Sequence, residues 1–226
     1  NVDVNFLPDD TEWISGDVVF ATDCWTAYPV RSMGKFKKRC YFIQDYEPMF
    51  HAMGENYLIA QQTYNFGFTA ITAGTWLKKK AEDHGMTAYD FPLCADTSVY
   101  SVKKTDKYRV KNKINIAFYS RSYTPRRAVK LGLAGLAELA KTHKNIHVHC
   151  FGQDDLPADP EFPYTNHGIL SPAELAELYN SCDIGMVFSA TNYSLIPLEM
   201  MGCGLPIVEM DVESTRYVFN ENVVTF

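Results

Sequence analysis

No C-x-x-C pair occurs in the chain, and its six cysteines stand at 24, 40, 94, 150, 182 and 203, the nearest two 16 residues apart. That spacing excludes a zinc ribbon, a thioredoxin-type site and a dense disulfide framework. Cys150 and Cys182 fall inside apolar runs, so they read as small buried thiols, and a reducing compartment is expected. No apolar run reaches 18 residues and Asn1–Asp10 lacks the shape of a signal peptide, so the expectation is a soluble, cytoplasmic protein. A basic excess is missing as well: 21 basic against 27 acidic residues give a net charge of −6, and both halves are acidic. A protein that tracks phosphates along nucleic acid needs the opposite balance, so nucleic acid is not an expected partner. Neither G-x-G-x-x-G after a strand nor G-x-x-x-x-G-K-[ST] is present, which removes the common dinucleotide and P-loop signatures. Internal repeats and low-complexity tracts are absent too.

What is there is the composition of an ordinary globular protein, 46% apolar and 21% charged over 226 residues, which rules out disorder, collagen and coiled coil. The length leaves room for one large domain or two small ones. The second half is the more legible. Ile114–Tyr119, Ile146–Phe151, Ile184–Phe188 and Pro206–Met210 read as strands. Between them, Thr124-Pro125 predicts a helix start, Thr as N-cap and Pro at the first position, followed by Val129, Leu133, Leu136, Ala137 and Ala140 at helical spacing. Ser171-Pro-Ala-Glu174 is a capping box that predicts a second helix, with Leu175, Leu178, Tyr179 and Cys182 as its buried stripe. Leu195–Met201 predicts a third, stopped by Gly202 and Gly204. Strands alternating with helices imply an α/β fold, a doubly wound parallel sheet.

The first half repeats the theme more loosely, with strands at Asp17–Ala21, Arg39–Ile43 and Phe68–Thr72 and a helix from Trp76 to His84 whose Lys78, Lys79 and Lys80 form a solvated face. Asp96–Lys113 holds six basic residues and little apolar matter, and reads as an interdomain linker. The domains expected are therefore 1–108 and 109–226.

Phosphate binding remains open to this chain through helix N-termini, which present free N–H groups and a partial positive charge. Two turns directly follow strands: Ser120 to Arg127, with Arg121, Arg126 and Arg127, and Ser189 to Ser194. Both would lie just beyond the carboxyl ends of parallel strands, where open α/β sheets place ligands. Basic residues at a helix start oppose the helix dipole and therefore call for an anion. His147 and His149 share one strand face and read as meeting helices or the domain surface rather than a metal. The 14% aromatic content is read as core packing.

The run Asn166-His-Gly168-Ile-Leu-Ser171, then Glu174-Leu, Leu178-Tyr, Cys182-Asp183-Ile and Phe188-Ser189, is similar to the donor-binding half of GT-B glycosyltransferases. Thr191 to Pro206, with Glu199 within it, resembles the E-x7-E region of the retaining family 4 enzymes. Asp23, Tyr41–Glu47, Ala73–Trp76 and Ala95-Asp96 look like the acceptor half of rhamnosyltransferases that act on bacterial surface polysaccharides. The resemblance implies two Rossmann-like doubly wound domains, both incomplete in this chain, with a nucleotide-diphosphate sugar bound in the cleft between them. It implies that Arg121 and Arg126, with Arg127 and Ser194, grip the diphosphate; that Glu199 holds the ribose; and that Thr191, Asn192 and Tyr193 face the sugar. Gln44, Asp45 and Glu47 would approach from the acceptor side as the catalytic candidates, with no metal and no cofactor.

Two positions depart from the family pattern. Thr191 stands where the first glutamate of E-x7-E is found, and Gln44 stands before Asp45 where many relatives have a histidine. A threonine cannot accept two strong hydrogen bonds as a carboxylate does, so a sugar with fewer hydroxyls is expected, dTDP-rhamnose foremost. The acceptor expected is a growing, lipid-linked cell-surface glycan met at the inner face of the membrane. Incomplete domains would expose apolar surface and invite association into a homo-oligomer. A nucleotide-sugar 2-epimerase and a non-catalytic nucleotide-sugar-binding domain remain alternative readings.

Overall fold

The computed structural model describes residues 10–157, 159–219 and 224–225. The segment expected to lack a signal peptide lies outside these except for Asp10. The chain folds as two compact units, Asn1–Pro92 and Leu93–Phe226. Among the described residues no helix is long and apolar enough to cross a membrane.

The first unit is a four-stranded sheet in the order β1-β2-β3-β4, every pair parallel. Its strands are β1 Ser15–Ala21, β2 Lys35–Ile43, β3 Thr69–Ala73 and β4 Thr87–Phe91, alternating with α1 Cys24–Ser32, α2 Glu55–Gln62 and α3 Thr75–Asp83. Three of these strands and α3 sit where the pattern placed them, while β4, α1 and α2 were not legible. The reason is local. Helix α1 carries Pro29 in its interior, which removes one helical hydrogen bond. It is held instead by a capping box in which Asp23 Oδ1 accepts from Thr26 N at 2.7 Å. Helix α2 has no side-chain cap.

The second unit is a six-stranded parallel sheet in the order β10-β9-β8-β5-β6-β7. It comprises β5 Ile114–Tyr119, α4 Val129–Thr142, β6 Ile146–Phe151, β7 Tyr164–Asn166, α5 Pro172–Ser181, β8 Ile184–Met186, α6 Leu195–Gly202, β9 Ile207–Val208, α7 Glu213–Arg216 and β10 Val224–Thr225. Successive side chains of β5 feed two different cores. Ile116 and Phe118 join Val129 and Leu136 of α4, whereas Ala117 and Tyr119 join Leu178 and Tyr179 of α5 and Met200 of α6. A strand covered on both faces reads as an unbroken apolar run, which is why β5 was visible in the sequence.

Two local expectations change. The helix expected from Thr124-Pro125 begins only at Val129: Pro125–Arg127 is a 3-10 turn, Thr124 makes no capping hydrogen bond, and Ala128 adopts φ 43° to redirect the chain. The Asp96–Lys113 stretch is not a free linker, and the unit boundary falls at Pro92/Leu93 rather than at 108/109. Tyr100 is buried against Tyr179, Asn180 Oδ1 accepts from Lys103 N at 2.6 Å, and Arg109 pairs with Asp183 at 2.6 Å. Its few apolar residues are enough because Val99, Tyr100 and Tyr108 pack against the core that α5 lines, while Val102 stays exposed. The capping box of α5 forms as expected, Ser171 Oγ accepting from Glu174 N. All six cysteines are free thiols, and burial pushes Cys150 and Cys182 up to about 12, in keeping with inert core residues.

Helix α4 approaches β5 closely through Gly132. A Cβ at that position would lie 2.5 Å from the ring of fully buried Phe118. Gly132→Ala is therefore expected to destabilise the chain by about 1–3 kcal/mol through overpacking, outweighing a helix-propensity gain of about 1 kcal/mol. A fall in the urea midpoint at unchanged m-value checks this. A rise would show that propensity wins.

Candidate functional site

The strand order of the second unit reverses at one place. From β5 the chain moves outward to β6 and β7, then returns to β8 on the other flank of β5 and continues to β9 and β10. Outside the carboxyl ends of β5 and β8 the flanking turns diverge, and this is where open α/β sheets bind ligands. The four described strands of the first unit run in simple succession with no such reversal. The candidate site is therefore built from the turn after β5 and the turn after β8.

The β5 turn is anchored from below. Ser120 Oγ donates to Phe151 O at 3.1 Å, and Gln153 Oε1 accepts from Ser122 N at 2.5 Å and from Ser122 Oγ at 2.9 Å. Gly152, directly after β6, lets the turn there approach the β5 turn. It sits at φ 104°, and a Cβ there would meet the Tyr119 ring at 2.6 Å. Arg121 extends from this base with its guanidinium 4.6 Å over the Tyr123 ring, and its Nε is buried without a hydrogen-bond partner. The two turns are tied to each other directly, Ala190 N donating to Arg126 O at 2.9 Å. On the side of α4 a cavity of ≈ 450 Å³ opens, lined by Ser122, Pro125, Ala128, Val129, Lys130 and Leu131.

The β8 turn leads into α6 through Ser194, the N-cap residue. Its backbone is extended, yet its side chain caps nothing, and Ser194 Oγ is buried without a partner. The first turn of α6 holds no acidic residue, so its N–H groups meet no carboxylate from their own helix. One turn on, Glu199 Oε2 is likewise buried and unpartnered, and burial raises this carboxyl above its ordinary range, opposed by the hydroxyl of Tyr100. Unsatisfied buried polar atoms are rare in folded proteins, and three of them lie on the β5 turn and on α6, beyond the carboxyl ends of β5 and β8, where they offer contacts to a polar ligand.

Not every expected residue faces that place. Arg127 is buried, and its Nη1 donates to Ser189 Oγ at 2.9 Å, which turns it into the protein. Tyr193 is buried with its ring edge-on to Phe219 at 5.6 Å, so its side chain belongs to the core. Thr191 and Asn192 are buried in the same turn, and Thr191 O accepts from Ser214 Oγ. Ser189, which opens the expected β8 turn, is buried, and so are Gln153 and Glu209 beside these turns, two residues that sequence reasoning missed because nothing local distinguishes them.

In the first unit, Gln44 is exposed and Asp45 is buried, its Oδ1 accepting from Tyr46 N at 2.8 Å. Glu47 lies at the start of α1, where Oε2 accepts from Cys24 N at 2.5 Å and from the Tyr41 hydroxyl at 3.4 Å. Burial raises its pKa, opposed by the Cys24 N–H. Glu47 thus serves as the anion at a helix N-terminus.

His147 reaches the domain surface as expected, half-buried beside exposed Thr165, whereas His149 is buried. They join a chain that runs across β5, β6 and β7, with His147 Nε2 2.9 Å from Thr165 Oγ1, His149 Nδ1 3.0 Å from His167 Nε2, and His149 Nε2 3.0 Å from Asn115 Oδ1. Asn115 Nδ2 donates to Val110 O and Lys113 O, which leaves Oδ1 as acceptor. His149 must then donate through Nε2 and accept from His167 at Nδ1.

Comparison with known proteins agrees with this architecture. The chain is 33% identical over 210 residues to the O-antigen biosynthesis protein RfbC of Myxococcus xanthus, covering 89% of this chain and 16% of that protein. Among solved structures it superposes on a sucrose-phosphate synthase from Thermosynechococcus elongatus with a TM-score of 0.71 at 12% identity, covering 92% of this chain and 59% of the other. It also superposes on the pneumococcal O-GlcNAc transferase GtfA, solved with UDP and GlcNAc, with a TM-score of 0.58 at 14% identity over 91% and 43% of the two chains. The chain thus spans only part of each protein it matches. Over residues 114–224 it matches the family of the WsaF C-terminal domain, and its fold is the Rossmann-like α/β fold of GT-B glycosyltransferases.

Proposed function

We propose that the second unit binds a nucleotide-diphosphate sugar at the carboxyl ends of β5 and β8, and that the chain is part of a glycosyltransferase that builds a cell-surface glycan. One observation carries this reading. Arg121, Arg126 and the open N-terminus of α6 stand on the two turns that flank the reversal of strand order, with Ser194 Oγ and Glu199 Oε2 buried and unpartnered beside them. Two cations and a helix N-terminus supply what a diphosphate leaving group needs, fixed positive charge where negative charge develops. Glu199 holds the ribose, its second oxygen taking a hydroxyl. The likeness to an O-antigen biosynthesis protein supports polysaccharide assembly as the setting.

The finer reading follows from residue chemistry. Thr191 offers a hydroxyl and a methyl where a carboxylate would grip sugar hydroxyls, which favours a 6-deoxy sugar, and dTDP-rhamnose is the donor proposed. The acceptor is a lipid-linked glycan met at the inner membrane face, with Gln44 and Asp45 on the acceptor side and Glu47 holding α1 in place beneath them. Transfer proceeds with retention and without metal, because the arginines and the helix N-terminus neutralise the diphosphate. A non-catalytic nucleotide-sugar-binding module is the second reading, favoured by the same loss of the first glutamate at Thr191.

A donor panel of dTDP-rhamnose, UDP-glucose and GDP-mannose tests both, read by calorimetry and by transfer with and without excess chelator. The expected result is preference for dTDP-rhamnose, transfer insensitive to chelator, and a shift of preference in Thr191→Glu. Tenfold better use of either hexose donor, or abolition by chelator, would overturn the corresponding element. Binding without transfer or hydrolysis by the full-length protein would establish the module.

A further inference from the structure

Arg127, Ser189 and Glu209 form a buried polar chain that the donor site as described above does not use. The three residues are 8%, 0% and 1% exposed. They stand after β5, β8 and β9, at the carboxyl ends of three neighbouring strands. Arg127 Nη1 donates to Ser189 Oγ at 2.9 Å, Ser189 Oγ donates to Glu209 Oε2 at 3.0 Å, and Glu209 Oε1 accepts from Met210 N at 2.9 Å.

The proton count of this chain favours one arrangement. A guanidinium only donates, so the Ser189 oxygen accepts from Arg127 and its single proton goes to Glu209. Both Glu209 oxygens are then acceptors, and the ionised carboxylate fills both roles best, because a protonated one brings a proton that needs a partner of its own. A protonated Glu209 would have to turn its proton toward Ser189, which leaves the serine proton without a partner and loosens the hold on Arg127. Arg127 is the charged group that faces Glu209 among the described residues, while Asp211 and Arg216, next along the chain, are exposed and pair with each other.

We propose that Glu209 is a positioning residue for the diphosphate site: acting through Ser189 it fixes Arg127, and with it the turn that carries Arg121 and Arg126, against the turn that opens α6. The inference rests on the nucleotide-sugar reading and deepens it. The coupling is direct, because Arg127 follows Arg126, whose carbonyl accepts from Ala190 N at 2.9 Å, one residue beyond Ser189. Burial raises the Glu209 carboxyl to about 7, opposed by the Met210 N–H, by Ser189 and by Arg127. The hold is therefore expected to loosen within the range of pH just below neutrality. The sign for folding is opposite to that for binding. A carboxyl raised in the folded state takes up protons there more readily than in the unfolded chain, so the ionised form lowers stability as pH rises from about 4.5 to 7.

The test is calorimetry of the same three nucleotide sugars at pH 5.5 and 8, with thermal unfolding at both. Wild type is expected to bind its preferred donor on the order of tenfold more weakly at pH 5.5. Glu209→Gln is expected to bind at the weaker level at both pH values, yet to unfold at pH 8 no earlier than wild type. Ser189→Ala should lose affinity likewise, and Ser189→Thr, which keeps the hydroxyl, should regain it. Retention of wild-type affinity and pH dependence by Glu209→Gln would overturn the inference. So would a loss of affinity that comes with earlier unfolding, which would make Glu209 structural. Absence of binding of any panel member to wild type would instead overturn the nucleotide-sugar reading, and this inference with it.

Discussion

Arg121→Ala is expected to weaken binding of a nucleoside diphosphate by about 10- to 100-fold, the equivalent of one charge-assisted contact of roughly 1.5–3 kcal/mol. The expectation rests on placement. Arg121 follows β5 at the reversal of strand order, its guanidinium is steadied 4.6 Å over Tyr123, and its Nε is buried with no partner. A side chain steadied by an aromatic face loses less rotamer freedom on binding, so more of the contact survives as affinity. Titration with dTDP and UDP measures it, with Lys141→Ala as the control, since Lys141 lies on the exposed face of α4 and pairs with Glu138. An unchanged affinity in Arg121→Ala would return this residue to the status of a surface cation.

The second large effect is on stability in acid. His149 is buried, its pKa lowered from 6.5 to about 4 by burial first and then by the charges of His147 and His167 beside it. In the unfolded chain the ring protonates near 6.5, so the unfolded state takes up its proton first as pH falls. The stability associated with the neutral ring is present above pH 6.5 and is lost as pH drops toward 4, a change of about 3 kcal/mol at 1.36 kcal/mol per unit. The geometry agrees, because a proton on Nδ1 would face the Nε2–H of His167, 3.0 Å away. Urea midpoints of wild type and His149→Gln between pH 4.5 and 7 check this. The variant is expected to show a shallower acid slope, whatever its absolute stability, and parallel slopes would sink the assignment.

How far the residues alone spoke depended on the reach of each interaction. The helix at Pro172–Ser181 was legible because its capping box closes between Ser171 and Glu174, three residues apart, and its apolar stripe repeats at the helical period. The strand Ile114–Tyr119 was legible because burial on both faces leaves an unbroken apolar run. Arg121, Arg126 and Ser194 stood out for a similar reason: each lies on a turn directly after such a strand, and cations at a helix start are locally anomalous. The GT-B resemblance was carried by residues of this second unit, and the fold agrees with it.

Other features depended on parts of the chain that meet only in the folded state. Strand order, and so the reversal that locates the site, is set by which hydrophobic faces close on one another, and no stretch of residues encodes that by itself. The same holds for the docking of Asp96–Lys113 on α5, where contacts such as Asn180 with Ser101 span 79 residues. Arg126 and Arg127 are adjacent and chemically alike, yet Arg127 turns inward because Ser189, 62 residues away, offers an oxygen there. Glu209 carries no local mark, and its role follows from a hydroxyl 20 residues back that ties it to that arginine. Capping and periodicity act over three or four residues and are written along the chain; the partner of a buried charge is chosen by the packing of distant segments, and only the tertiary structure supplies it.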